Sequence, residues 1–292
     1  MEKVKKYIPD KYKGIFCIIL SAFCFALMSA FIRLAGDLPS IQKGFFRNFF
    51  AFFIALFMLL KSGEKISIGQ GNMKYLIGRA LIGTIGILGN FYAVDNMVLS
   101  DASMLNKMSP FFSILFSYFL LKEKLSLPQG LIVAAAFCGS LFIVKPTADL
   151  FENPASLAGL AGGISAGAAY ALVRVLGRNG VNKTFIVMFF SAVSCLIMLP
   201  FLIISFKPMT AVQVLCLIGT GAAAAGGQFA ITNAYCYAPA KEISVYDYSQ
   251  LIFTMILGFV LFGQIPDRWS IIGYFVIVGA AVAMFLYNKK KD

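Results

Sequence analysis

The sequence predicts an all-α polytopic membrane protein, with ten transmembrane helices arranged as two inverted five-helix repeats. Three observations carry that prediction. The 292 residues are 60% hydrophobic and only 13% charged, whereas soluble domains are about a quarter charged. Apolar stretches of about 20 residues, enough to cross roughly 30 Å of hydrocarbon, recur along the chain. Finally, the two halves repeat at an offset of about 141 residues: Arg33 maps to Arg174, Gly78 to Gly219, Gly86 to Gly227, Ser103 to Ser244, Phe112 to Phe253 and Leu120 to Leu261.

The spans are placed by their apolar runs and breakers. Helix 1 is expected at 14–34; its apolar run is too long for a cleaved signal, so it reads as a retained span. Helix 2, at 42–60, lies between Pro39 and Gly63. Helices 3 and 4 take 74–94 and 101–121, and helix 5, at 127–145, opens at Pro128 and stops before Pro146. The second half places helices at 156–176, 183–205, 210–235, 241–262 and 269–287, punctuated by Pro154, Pro208, Pro239 and Pro266. The repeats are thus 1–145 and 155–287, together one transport domain.

Of the 25 Lys and Arg, 17 fall on the side of the N-terminus, from Lys3 through Lys61, Lys122, Arg174 and Lys241 to Lys291. Five fall on the other side: Arg33, Lys43, Lys145, Lys207 and Arg268. This bias predicts cytoplasmic termini in a cytoplasmic (inner) membrane. Five is an odd number of spans, so the second repeat must cross in the opposite sense to the first, the arrangement of many secondary transporters. The net charge of +12 is spread over short loops and does not form one basic face, which argues against nucleic acid as a partner.

The remaining exclusions are chemical. Histidine is absent and the six cysteines lack C-x-x-C spacing, so neither a metal site nor histidine-based catalysis is expected. No G-K-[ST] phosphate loop occurs, which removes direct ATP hydrolysis. No cofactor is expected, and the chain does not read as an enzyme.

Charges at membrane depth are costly and usually face protein or water. Three cations stand there: Arg47, Arg79 and Lys107. Arg79 is expected to snorkel to headgroups. Lys107, two turns into helix 4, is the leading substrate-binding candidate, either contacting cargo or pairing with Asp95, Asp101 or Asp247. Asp247 is the leading carboxylate, for proton coupling, for a cationic cargo group or as the counterion of Lys107. Asp95, Asn96, Tyr92, Tyr170, Gln228, Asn233, Tyr246 and Gln250 complete the expected binding set, because amides and aromatic rings hold polar or planar ligands. Structural hydrogen bonding between helices is the alternative role for each. Glycine clusters in helices 3, 6 and 8 predict close helix packing or room beside a cavity.

With these residues in hand, the chain resembles the EamA family of the drug/metabolite transporter superfamily. The likeness rests on the ten-span, two-repeat plan, on Arg47 in GFFRNFFAFF, and on the stretch from Tyr92 to Leu125, where Pro110 and Glu123 occupy characteristic places. The second copy departs from the first, with Leu251 opposite Pro110 and Gln264 opposite Glu123. The resemblance implies a transporter whose cavity is formed mainly by helices 1, 3, 4, 6, 8 and 9. It implies a bracing role for Arg47 and a loop-organising role for Glu123 beside Lys122 and Lys124. The expected function is secondary transport of a small polar metabolite, preferably amino-acid-like or zwitterionic, by alternating access. Coupling to protons or sodium is open, lipids surround the chain, and a monomer suffices. The alternatives are a multidrug exporter of aromatic cations and a lipid scramblase or structural membrane protein.

Overall fold

A computed structural model describes residues 9–63, 68–96, 104–145 and 155–290. Ten helices in it are long and apolar enough to cross a membrane. They are α1 (Asp10–Leu34), α2 (Ser40–Ser62), α3 (Met73–Asn96), α4 (Met104–Leu121), α5 (Leu127–Val144), α6 (Ala155–Arg178), α7 (Lys183–Ser205), α8 (Ala211–Tyr237), α9 (Ala240–Phe262) and α10 (Arg268–Lys289). The boundaries follow local chemistry. Ser126 and Gln129 form a capping box at the start of α5, as do Thr210 and Gln213 at α8, so orphan N–H groups are met by side chains. Asp267 accepts from the Ser270 N–H and starts α10.

Several of these devices recur at the repeat offset. Ser126 and Asp267 are repeat mates, and both are N-caps. Lys122 and Gly263 are mates, and both end their helices in the left-handed conformation, at φ 57° and 63°.

Helix pairing keeps the same pattern when the repeats are exchanged. α1 packs on α8 and α3 on α6; α9 packs on α1 and α4 on α6; α2 packs on α8 and α7 on α3. The pairs α2–α7 and α5–α10 map onto themselves. Lys11 Nζ donates to the Asn288 carbonyl at 2.9 Å, so α1 begins where α10 ends. We call this the terminal end of the bundle. At the opposite end, Gln42 joins α2 to Lys207 after α7, while Lys145 bonds to Asp267 between α5 and α10.

The α3–α6 crossing depends on absent side chains. A Cβ on Gly89 would stand 2.5 Å from the Ala158 carbonyl oxygen and 3.2 Å from the Gly162 backbone nitrogen. Neither obstacle can rotate away, unlike a side chain. Gly89→Ala is therefore expected to cost ~1–3 kcal/mol by overpacking, read as a lowered midpoint of thermal unfolding in detergent. An unchanged midpoint would mean that the crossing does not require glycine.

Two spans expected to be continuous are interrupted. In α4 the helix opens to a turn at Lys107 and Met108 before resuming at Ser109. Pro110 explains this, since it has no N–H to give the Asn106 carbonyl and its ring crowds that group. In α9 a single turn, Ala240–Ile243, passes into a 3-10 segment, Ser244–Tyr248, before the main helix begins at Ser249. Lys107 and Tyr248 are repeat mates, so the two interruptions fall at corresponding places.

Candidate functional site

The interrupted helices meet at the centre of the bundle. The Phe111 N–H bonds to Met108, three residues back, instead of Lys107. The Lys107 carbonyl freed in this way accepts from the Tyr248 hydroxyl at 3.1 Å. The Lys107 ammonium donates to Gln250 Oε1 at 2.7 Å and stands 3.5 Å from Asp247 Oδ2. The first is a short hydrogen bond; the second is an ion pair at the outer limit of hydrogen-bond length. Lys107 and Asp247 are 6% and 7% exposed. At that burial each charge depends on the other, because removing one leaves an uncompensated ion.

A cavity of about 840 Å³ reaches this pair. Its inner wall includes Tyr170 of α6, Gln228 of α8, Arg47 of α2 and Arg79 of α3, and its outer part reaches Arg33, Ser40, Lys43, Phe262 and Gln264. Those outer residues lie at the ends of α1 and α9 and the start of α2, so the cavity opens toward the end opposite the termini. Helices α2 and α7 contribute Arg47 and Phe190 to the wall, adding to the six helices that the family resemblance implied.

Arg79 does not reach toward headgroups. It is 3% exposed, its Nη2 donates to Gln228 Oε1 at 3.3 Å, and its guanidinium stacks 4.0 Å from the Phe190 ring centroid. Gly83, one turn on, makes this possible, because a Cβ there would stand 2.1 Å from Arg79 Nη1. The Arg79/Gly83 pairing at i and i+4 was the available sequence signal for an inward arginine. Arg47 is likewise buried, at 8% exposure, and faces the cavity.

Among the other expected binding residues, Lys107, Asp247, Tyr170, Gln228 and Gln250 come together on the cavity. Four do not. Tyr92 is 54% exposed, a helical step away from the cavity-lining Phe91, and the Asn96 amide is spent on the Tyr92 carbonyl. Asn233 bonds to the Phe229 carbonyl and sits about 140° round the helix from Gln228, at ~100° per residue. Tyr246 precedes Asp247 but turns into the protein, and its hydroxyl has no partner among the described residues. The Asp95 side chain and Asp101 lie outside the described residues. Asn90, Ser109 and Thr254 also line the cavity and were not singled out from sequence.

Glu123, expected to organise the loop near Lys122 and Lys124, reaches Arg174 of a neighbouring helix. Its Oε1 accepts from Arg174 Nε at 3.1 Å, and Arg174 Nη1 also donates to the carbonyls of Tyr235 and Cys236. One guanidinium therefore ties the ends of α4, α6 and α8 together near the terminal end. Its repeat mate Arg33 stands 4.4 Å from the Phe262 ring centroid, while Gln264, mate of Glu123, lines the cavity mouth.

The sequence matches the EamA-like transporter family twice, over 12–145 and 153–286. The chain belongs to that family. It is 28% identical over 274 residues to the pseudopaline exporter CntI of Pseudomonas aeruginosa, covering 93% of this chain and 95% of that one. It is 25% identical to human solute carrier family 35 member G1, covering 99% and 84% of the two chains. It is 22% identical to the S-adenosylmethionine uptake transporter of Rickettsia conorii, covering 88% and 86%. A solved crystal structure at 18% identity superposes with a TM-score of 0.79 over 95% of this chain, which extends the match to the fold. The protein is a multi-pass membrane transporter of the EamA-like family, not an enzyme.

The two tyrosines beside Asp247 give a direct check on this site. Tyr248→Phe strips the donor from the buried Lys107 carbonyl and should cost ~1–3 kcal/mol. Tyr246→Phe removes a hydroxyl without a partner among the described residues and should be neutral or stabilising. Equal effects of the two on thermal unfolding would contradict the assignment.

Proposed function

We propose that this EamA-like transporter is a secondary transporter carrying a small polar, amino-acid-like metabolite across the cytoplasmic membrane by alternating access. The observation that carries the reading is one cavity that reaches the buried Lys107–Asp247 pair and opens toward a single end of the bundle. An ammonium and a carboxylate held together can exchange their mutual contact for the opposite charges of a zwitterion. Gln250 and Tyr170 supply neutral polar contacts at the same level. The named cargoes of the relatives, pseudopaline and S-adenosylmethionine, support a small metabolite. Because one of those relatives exports and the other takes up, they support neither direction over the other. Aromatic cations fit the cavity poorly, since arginine and lysine outnumber Asp247 on its walls.

The alternation would use the packing that both repeats share. Arg174 and Glu123 hold the terminal end closed here. In the exchanged state, Arg33 would approach Gln264 and the backbone carbonyls at 94 and 95. That second latch lacks a carboxylate, so the two closed ends differ in electrostatic strength and the transporter rests with the opposite end open.

Two measurements test this reading. Purified protein in liposomes should lose cargo affinity or rate in Lys107→Gln and Asp247→Asn. Unchanged flux in both variants would remove the pair from transport. Gln264→Glu should supply the missing partner of Arg33 and shift the resting population. In a cysteine-free background, a thiol introduced at Ser40 would then label more slowly with an impermeant maleimide; an ion pair worth ~1 kcal/mol lowers the open-to-closed ratio about fivefold, and the rate falls by less because the open state starts as the majority. An unchanged labelling rate would show that Arg33 and Gln264 do not meet.

A further inference from the structure

We propose that Arg47 and Arg79 form an anion subsite in the cavity wall, and that the cargo carries a carboxylate or phosphate group in addition to the anionic group met by Lys107. The inference deepens the transport reading and rests on it for the cavity being the cargo site. It makes the cargo a net anion.

Burial and unmet hydrogen bonding point to this subsite. Both guanidiniums are more than nine-tenths buried and both line the cavity. The Nε of each is sealed from solvent without a hydrogen-bond partner among the described residues. Neither takes part in an ion pair there: the carboxylates of Asp247, Glu123, Asp267 and Asp10 are taken by Lys107, Arg174, Lys145 and Lys13. Arg79 has the Gln228 carbonyl oxygen and the face of Phe190. These are one acceptor and one ring against five donors. A buried cation with so little compensation is costly unless a counterion reaches it. The cavity brings the counterion's path to both side chains.

The repeat relation separates this role from packing. The mates of Arg47 and Arg79 are Met188 and Thr220. The second repeat builds the corresponding helices, α7 and α8, with no cation at either place, so the shared helix packing does not require one. Arg47, Arg79 and Tyr170 all line the same cavity, which places the two arginines around one volume. Among the described residues, only Asp247 contributes a carboxylate to a lining that holds Arg33, Lys43, Arg47, Arg79 and Lys107. Arg33 and Lys43 lie toward the mouth, where positive charge raises the local concentration of an arriving anion.

Guanidinium forks bind carboxylate and phosphate oxygens in pairs, so either group satisfies the subsite and the test separates them. Thermal unfolding of the purified full-length protein would be followed while titrating citrate, inorganic phosphate and alanine, with chloride salts matching ionic strength. Citrate or phosphate should stabilise the protein saturably beyond the chloride control, and alanine should do so less. Whichever of the two stabilises more names the group. Arg47→Gln and Arg79→Gln should each weaken the half-saturation by about 10- to 100-fold, the loss of a charge-assisted hydrogen bond. Arg79→Lys should retain part of the response. Gly83→Ala displaces the guanidinium without removing its charge, and should weaken anion binding even if the arginine variants do not fold. Lys107→Gln, which leaves both guanidiniums in place, should weaken the anion response less than either arginine variant does. If Lys107→Gln abolishes it and the arginine and Gly83 variants do not, the anion is held at Lys107; the subsite falls and the transport reading stands. If no anion stabilises the protein beyond chloride, or every variant responds as the parent does, the subsite is overturned while the flux test of Lys107 and Asp247 is unaffected.

Discussion

Backbone N–H and C=O groups inside a bilayer have no water to bond to, so a membrane helix can open only where protein or a cavity receives the freed groups. This protein opens two helices, at corresponding places in its two repeats, and faces the openings toward each other. The Tyr248 hydroxyl from one interruption satisfies the Lys107 carbonyl of the other. That bond holds the Lys107 side chain where it meets Gln250 and Asp247. The central polar site is thus a consequence of how two broken backbones complete one another. The glycine-lined α3–α6 contact and its mate α1–α8 hold the rest of the bundle tightly around it.

The repeats share packing and differ in charge. Helix caps, left-handed ends and helix partners correspond between the halves, which gives the bundle two nearly equivalent ways to close. The polar groups break that equivalence. Asp247 faces Asn106 across the repeat relation, Glu123 faces Gln264, and the cavity arginines face Met188 and Thr220. A symmetric scaffold supplies the two states, and unequal side chains set which state is preferred and what the cavity accepts. Drift after duplication in the side chains facing the cavity can change cargo and resting state while leaving the fold intact.

Most of the architecture was legible in the sequence because lipid leaves few choices. Apolar runs of spanning length, prolines between them and the 141-residue offset place ten helices within a few residues of those observed. The interruptions were half legible: Pro110 announces the break in α4, but α9 has Leu251 in that place and its 3-10 segment depends on burial against neighbouring helices. The Lys107–Asp247 pairing was among the weighed alternatives, since both are charges set two turns into their helices. Four of the expected binding residues lie off the cavity; for Tyr92 and Asn233 the reason is helical angle, since Phe91 and Gln228 present a different face to it. Arg79 was misread because its distance from the helix end permits snorkelling, and only the space left by Gly83 turns it inward.

Access to the cavity from both sides of the membrane is the most direct test of the account. Thr254 lines the cavity, and Thr254→Cys in a cysteine-free background can be probed in proteoliposomes of known orientation. A membrane-impermeant thiol reagent applied to one face at a time should label the site from either face, and a transported solute should slow both reactions. Labelling from one face alone, with and without solute, would contradict alternating access through this cavity.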